Sequence, residues 1–147
     1  MDFQIKNGNG KGKEYNKNGE LEFDGEYYEG KRWNGKGKKY NYMDNLEYEG
    51  EFLNGEKNGK GKEFNNGKLE YEGEFLNGER NGKGKEYYKT KLIFEGEFLN
   101  KKRNGKGREY YDDGTLKFEG EYLNDKRWNG KGYNKDGIME FQIKDGK

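Results

Sequence analysis

The sequence predicts an all-β chain, an antiparallel meander built from tandem hairpins, and three observations predict it. A unit of about 23 residues recurs, with copies starting at Leu21, Leu46, Leu69, Leu92 and Leu116 and a stub from Ile138. A fixed period of this length marks a repeat architecture. Each unit opens with strictly alternating residues, the pattern of a half-buried strand. Turn-forming clusters such as Asn77-Gly78 separate the strands, and glycine every few residues leaves no helical period. Residues 1–147 read as one repeat domain, with partial or capping units at 1–20 and 138–147.

Composition bounds what such a chain can do. Of 147 residues, 27% are hydrophobic and 40% charged, which taken alone argues for disorder. Against that stand 13 Tyr, 9 Phe and 2 Trp at fixed phase, and rings bury large area per residue. A fold around a thin aromatic seam is expected. Thirty basic and 29 acidic residues leave a net charge of +1, so no long-range field draws nucleic acid or anionic lipid. No nucleic-acid partner is expected. With no Cys and no His, disulfides and thiolate or imidazole metal sites are excluded. The N-terminal residues have no apolar h-region, and no apolar run reaches membrane-spanning length. A cytoplasmic location is expected, with membrane or cytoskeletal association left open.

In chain order, residues 1–20 read as the back half of a unit. Asn9-Gly10-Lys11-Gly12-Lys13-Glu14-Tyr15 matches Asn81-Gly82-Lys83-Gly84-Lys85-Glu86-Tyr87. Phe3-Gln4-Ile5-Lys6-Asn7-Gly8 is a degenerate front half, repeated almost unchanged by residues 141–146. The chain therefore starts and stops at one phase of the repeat, as matched caps or as a segment of a longer array. In the unit from Leu69, Leu69, Tyr71, Gly73 and Phe75 share one face and Glu70, Glu72 and Glu74 the other. Residues 77–80 read as the turn, and residues 81–87 as the second strand. The register that pairs charges sets Glu74 against Lys83 and Glu72 against Lys85, with Phe75 and Gly73 opposite Gly82 and Gly84. Four turn residues remain. Each charge pair contributes about 0.2–1 kcal/mol, and the glycines leave room for a ring to lie on the backbone. Tyr15, Tyr40, Phe64, Tyr87 and Tyr110 sit an odd step after the second glycine, so a bulge is expected there to return them to the seam.

Tyr71-Glu72-Gly73-Glu74-Phe75, Asn77-Gly78 and Gly82-Lys83-Gly84 resemble the MORN repeat (membrane occupation and recognition nexus). The likeness covers residues 21–133, with weaker ends. The resemblance implies an elongated, twisted single-layer antiparallel sheet with one hairpin per repeat, and a non-enzymatic module. It further implies a scaffold, a dimerisation unit, a groove for a peptide or helix, or a phospholipid-associating surface. The Lys85–Tyr88 tail also resembles bacterial antitoxin or immunity proteins of similar hairpins. Their usual Trp at the second glycine is absent here.

Catalytic, metal and cofactor sites are not expected. The carboxylate pairs, Glu72/Glu74 and their counterparts, repeat in every unit and read as a solvated Glu–Lys ladder. The Gly-x-Gly pairs lack the strand–loop–helix context of a phosphate loop. Trp33 and Trp128 are insertions beside Arg32 and Arg127. They read as turn residues folded over a neighbouring hairpin or as anchors for a partner, since Trp and Arg dominate interface hot spots. Tyr48, Phe52, Tyr71, Phe75, Phe94, Phe98, Phe118 and Tyr122 form the core, or, if half covered, an apolar groove. The expected partner is a protein segment or a second copy, face to face or end to end. Phospholipid and an antitoxin-type partner are the alternatives.

Overall fold

The computed structural model describes residues 4–147 and, within the first strand, backbone alone. Residues 1–3, which open the degenerate front half, lie outside the described residues. Thirteen strands follow one another: β1 Gln4–Lys6, β2 Asn9–Tyr15, β3 Leu21–Tyr28, β4 Lys31–Tyr40, β5 Leu46–Leu53, β6 Glu56–Asn65 and β7 Lys68–Leu76. They continue as β8 Glu79–Tyr88, β9 Lys91–Leu99, β10 Lys102–Tyr110, β11 Leu116–Leu123, β12 Lys126–Tyr133 and β13 Met139–Ile143. Their order in the sheet is their order in the chain. The all-β antiparallel meander expected from the alternation is what the chain adopts. It packs as two compact units, one running up to Gly67 and including Phe75–Glu79, the other made of Lys68–Glu74 and Arg80–Lys147.

Hairpin turns have two residues, not four. Asn54-Gly55 and Asn77-Gly78 both hold positive φ (53° and 78°, 50° and 86°), the type I′ geometry that suits strand twist. The residues expected in a longer turn instead form a bulge in the second strand. In β5–β6, Gly50 faces Gly61 and Glu49 faces Lys62, as the charge argument requires, but Phe52 faces Lys57. The intervening Glu51 closes the bulge by accepting the Lys60 backbone N–H at 2.6 Å. Glu74 and Glu97 do the same for Lys83 and Lys106. The expected pairing of ring with first glycine is realised one strand further on, between successive repeats. Gly82 faces Phe98, and Lys83 faces Glu97; Gly35 faces Phe52, and Lys36 faces Glu51.

Among the described residues, the Asn of the Asn-Gly-Lys-Gly motif has a separate task in five of its six copies. Asn34 Oδ1 accepts the backbone N–H of Asn54 at 2.9 Å, and Asn104 Oδ1 that of Asn124 at 3.2 Å. The next turn residue donates to the preceding hairpin's main chain, as Gly55 does to the Trp33 carbonyl at 2.8 Å. Successive turns are thus tied without a helix or a second layer.

Connections between hairpins are of two kinds. Asn16, Asn41 and Asn134 cap five-residue loops with their side chains. The connection at Lys89-Thr90 is a two-residue turn with φ of 47° and 69°. Asn66-Gly67 makes the same turn at 50° and 75° with residues suited to it. A β-branched residue at positive φ is strained by about 1–3 kcal/mol. Thr90→Gly is expected to gain about 1 kcal/mol, net of the greater entropy glycine adds to the unfolded chain. The check is a thermal midpoint about 2–4 °C higher.

The core of each unit is a row of rings in edge-to-face contact. In the first, Phe23–Tyr27, Tyr48–Phe52 and Tyr48–Phe75 centroids lie 5.5, 5.2 and 5.2 Å apart, at interplanar angles of 77–86°. In the second, Tyr71–Phe98, Phe94–Tyr122 and Phe118–Tyr122 lie 5.1, 5.1 and 5.7 Å apart at 80–87°. Each such pair adds about 0.5–1.5 kcal/mol beyond area burial.

Candidate functional site

The face above the rings is closed by charge. Arg32 and Lys57 sit over Phe23 and Tyr48, at 4.9 and 5.2 Å from the ring centroids. Arg80, Arg103 and Arg127 sit over Tyr71, Phe94 and Phe118 at 4.5, 4.2 and 4.6 Å. Guanidinium planes match ring faces and are more weakly hydrated than ammonium groups. Glutamates of the Lys-Glu-Tyr stretches bind these cations on the same face. Glu14 pairs with Arg32, and Glu63 with Lys57 at 3.2 Å. Glu86 lies 4.0 Å from Arg80 and 2.8 Å from Arg103. Glu109 lies 3.8 Å from Arg103 and 2.7 Å from Arg127. Tyr27 and Tyr122 add hydroxyl donors to Glu14 and Glu109.

This arrangement depresses the Glu14 and Glu109 carboxyls below their ordinary value. At Glu14 the Arg32 hydrogen bonds are the largest cause, offset in part by burial and aided by Tyr27. At Glu109 burial is the largest influence and opposes the shift. The hydrogen bonds of Arg127 and Tyr122 and the charges of Arg127 and Arg103 together outweigh it.

Between core and groove, the two readings open for the aromatic row, the structure gives core. Tyr48, Tyr71, Phe94 and Phe118 are 0% exposed, and Phe75, Phe98 and Tyr122 no more than 4%. Phe52 alone among the eight is half-buried. Sequence alternation located the ring face but not the cations that cover it. Their bulge-edge position sits opposite the second ring of each unit, Tyr27 against Arg32 and Tyr122 against Arg127.

Trp33 and Trp128 are the extra residues that distinguish their hairpins. Gly25 faces Gly35, and Gly120 faces Gly130. In β5–β6 and β9–β10 the same glycine faces the second glycine of the motif. Each insertion therefore slides its hairpin by two residues. Trp33 packs on Tyr28, centroids 5.0 Å apart, and lies along the Asn54-Gly55 turn. Trp128 lies along the Asp145-Gly146 turn and is 37% exposed. Each folds over the turn that follows the neighbouring strand, Trp33 over the one after β5 and Trp128 over the one after β13. Arg32 and Arg127 are engaged by Glu14 and Glu109.

The bulges expected before Tyr15, Tyr40, Tyr87 and Tyr110 are present. They do not bring those rings to the seam. Glu109 takes the seam side, so Tyr110, next in the chain, takes the other, where its hydroxyl donates to Glu95 at 2.5 Å.

The opposite face carries the charge ladder. Lys36 and Lys38 face Glu51 and Glu49 in the first unit. Lys83 and Lys85 face Glu97 and Glu95 in the second, as Lys106 and Arg108 face Glu121 and Glu119. A leucine or tyrosine ends the first strand of each hairpin beside this ladder. Tyr28, Leu53 and Leu76 are 48, 46 and 50% exposed in the first unit, and Leu99 and Leu123 are 47 and 43% exposed in the second. No group of three or more acidic side chains placed to hold a metal ion occurs among the described residues. No helix there is long and apolar enough to cross a membrane.

A model of the MORN repeat matches residues 48–69, 71–92 and 94–116. The matches stop where the Trp insertions change the register. No curated protein matches the chain. The MORN repeat is a non-catalytic module of interaction or membrane binding. Three consecutive hairpins match its model, and the flanking copies carry the same ring pairs and glycines: the chain contains three tandem MORN repeats over residues 48–116.

Proposed function

We propose that the chain is a non-enzymatic scaffold that binds a protein partner along the charged face, where each hairpin presents one half-exposed apolar side chain. The observation that carries this reading is the recurrence of Tyr28, Leu53, Leu76, Leu99 and Leu123 at one structural position, 43–50% exposed. Within each unit, apolar groups at the same hairpin position give a partner regular anchors. The flanking charges supply register and do not supply a net field. Anionic lipid is favoured less, because it calls for clustered basic residues, and here Lys36, Lys38, Lys83 and Lys85 each face a glutamate. The expected partner chemistry is an amphipathic helix or extended peptide with apolar residues at matching intervals.

Photo-crosslinkers placed at Leu53 and at Leu99, with a control at Tyr42, which is 95% exposed on a connecting loop, test the reading. A protein captured at the two leucine positions and not at Tyr42 supports it. Flotation with phosphatidylserine vesicles at physiological salt, without protein capture, overturns it.

A further inference from the structure

One position reverses the sign of charge in the row above the rings. Glu14, Glu63, Glu86 and Glu109 all stand in Lys/Arg-Glu-aromatic stretches, but the first full hairpin reads Gly37-Lys38-Lys39-Tyr40. Lys39 faces Tyr48 as Glu86 faces Phe94, so it occupies the glutamate position. In the second unit Arg80 and Arg103 flank Glu86 at 4.0 and 2.8 Å. The corresponding flanking residues in the first unit are Arg32 and Lys57, and the group between them is a third cation.

The exchange leaves a notch. Arg32, Lys39 and Lys57 line an open-sided cavity of ≈ 400 Å³, with Phe52 in its wall and Gly55 and Gly78 at its rim. Phe52 is half-buried, while its counterparts Tyr27, Phe75, Phe98 and Tyr122 are at most 8% exposed. Glu56 also borders the cavity. It pairs with Leu53, and strand alternation directs that pair to the opposite face. Among the described residues, Lys39 has no carboxylate within ion-pair distance.

We infer that this notch, which lies on the ring face and not on the leucine face, binds a carboxylate side chain supplied by a protein partner, and the inference goes beyond the scaffold reading above. The fold itself shows the fit: at Glu86 a carboxylate lies between two cations above the same kind of ring. A phosphate group suits the notch less. The Arg32 fork that would grip it is already used, Nε and Nη2 by Glu14 and Nη1 by the Lys38 carbonyl at 2.6 Å. The remaining donors are the ammonium of Lys39 and that of Lys57, which already pairs with Glu63 at 3.2 Å; both act as point charges and not as a planar fork.

Binding of a fluorescein-labelled decaglutamate peptide to the full chain, read by anisotropy at low salt, tests the inference. Lys39→Met is expected to weaken binding about tenfold, the loss of one charge-assisted contact. Lys39→Glu is expected to abolish it while leaving the thermal midpoint unchanged or higher, because the new carboxylate bridges Arg32 and Lys57. Equal peptide binding by wild type and Lys39→Glu overturns the notch, and if protein capture at Leu53 persists the scaffold reading stands without it. Inorganic phosphate or phosphatidylserine vesicles that bind in a Lys39-dependent way, where the peptide does not, also overturn it. Lys39-dependent peptide binding without capture at Leu53 and Leu99 supports the notch and removes the leucine surface.

Discussion

Gly96→Ala is expected to destabilise the protein by about 3 kcal/mol or more, the upper range for overpacking a filled site. Gly96 faces Gly107 across β9–β10. A Cβ at Gly96 would lie 2.5 Å from the Lys106 carbonyl oxygen, 2.6 Å from Gly107 Cα and 2.8 Å from Phe94 Cζ. Two of these three neighbours are backbone and cannot rotate away. The strands would have to part where Phe94, 0% exposed, lies across them. That is a large share of the roughly 5–15 kcal/mol by which domains are stable. Gly114→Ala provides the contrast. Gly114 has open space around it but a φ of 87°, so its substitution costs only about 1 kcal/mol of backbone strain. Urea denaturation should place the Gly96→Ala midpoint well below that of Gly114→Ala, at similar m-values. Equal midpoints would show that the strands have slack at the glycine pair.

The same glycine pair shows how far the sequence could be read. Alternation, repeat phase and turn pairs were enough to place the strands, the ring face and the Glu–Lys pair beyond the bulge, Glu49 with Lys62 in β5–β6, because each follows from period two and opposite charge. The bulge that sets Phe52 against Lys57 was not legible. A two-residue Asn-Gly turn followed by a bulge and a four-residue turn use the same residues, and they differ only in where Glu51 sends its carboxylate. The cation row was missed for a related reason. Arg80 and Arg103 occupy the same phase of the repeat, but their side depends on that bulge. Glu14, Glu63, Glu86 and Glu109 follow a lysine or arginine by one residue and so face away from the ladder. That single step of alternation is the available signal, and it also exposes Lys39 as a cation where four other copies carry a glutamate.

Glu109→Ala is expected to cost about 2–3 kcal/mol, less than the 3–5 kcal/mol typical of a fully buried pair. The discount follows from exposure: the Glu109 side chain is 15% accessible, and those of Arg103 and Arg127 are 20 and 27%. The carboxylate nonetheless serves three donors, accepting from Arg127 Nε and Nη2 at 2.9 and 2.7 Å and from the Tyr122 hydroxyl at 2.7 Å. Removing it leaves two guanidiniums held over Phe94 and Phe118 with mutual repulsion and a shared partner gone. Glu109→Gln keeps an acceptor and loses the charge, so it should fall between wild type and alanine. The acid dependence separates this electrostatic role from simple packing. Because the folded Glu109 carboxyl lies below its ordinary value, its contribution is complete above the unfolded-state pKa and is lost as pH falls through the folded one. The stability gap between wild type and Glu109→Ala should therefore be constant near neutrality and shrink only at pH values below the usual glutamate range. A gap that persists unchanged into acid would assign the loss to the missing methylene groups. A gap that closes identifies the carboxylate charge as what holds the cation row over the rings.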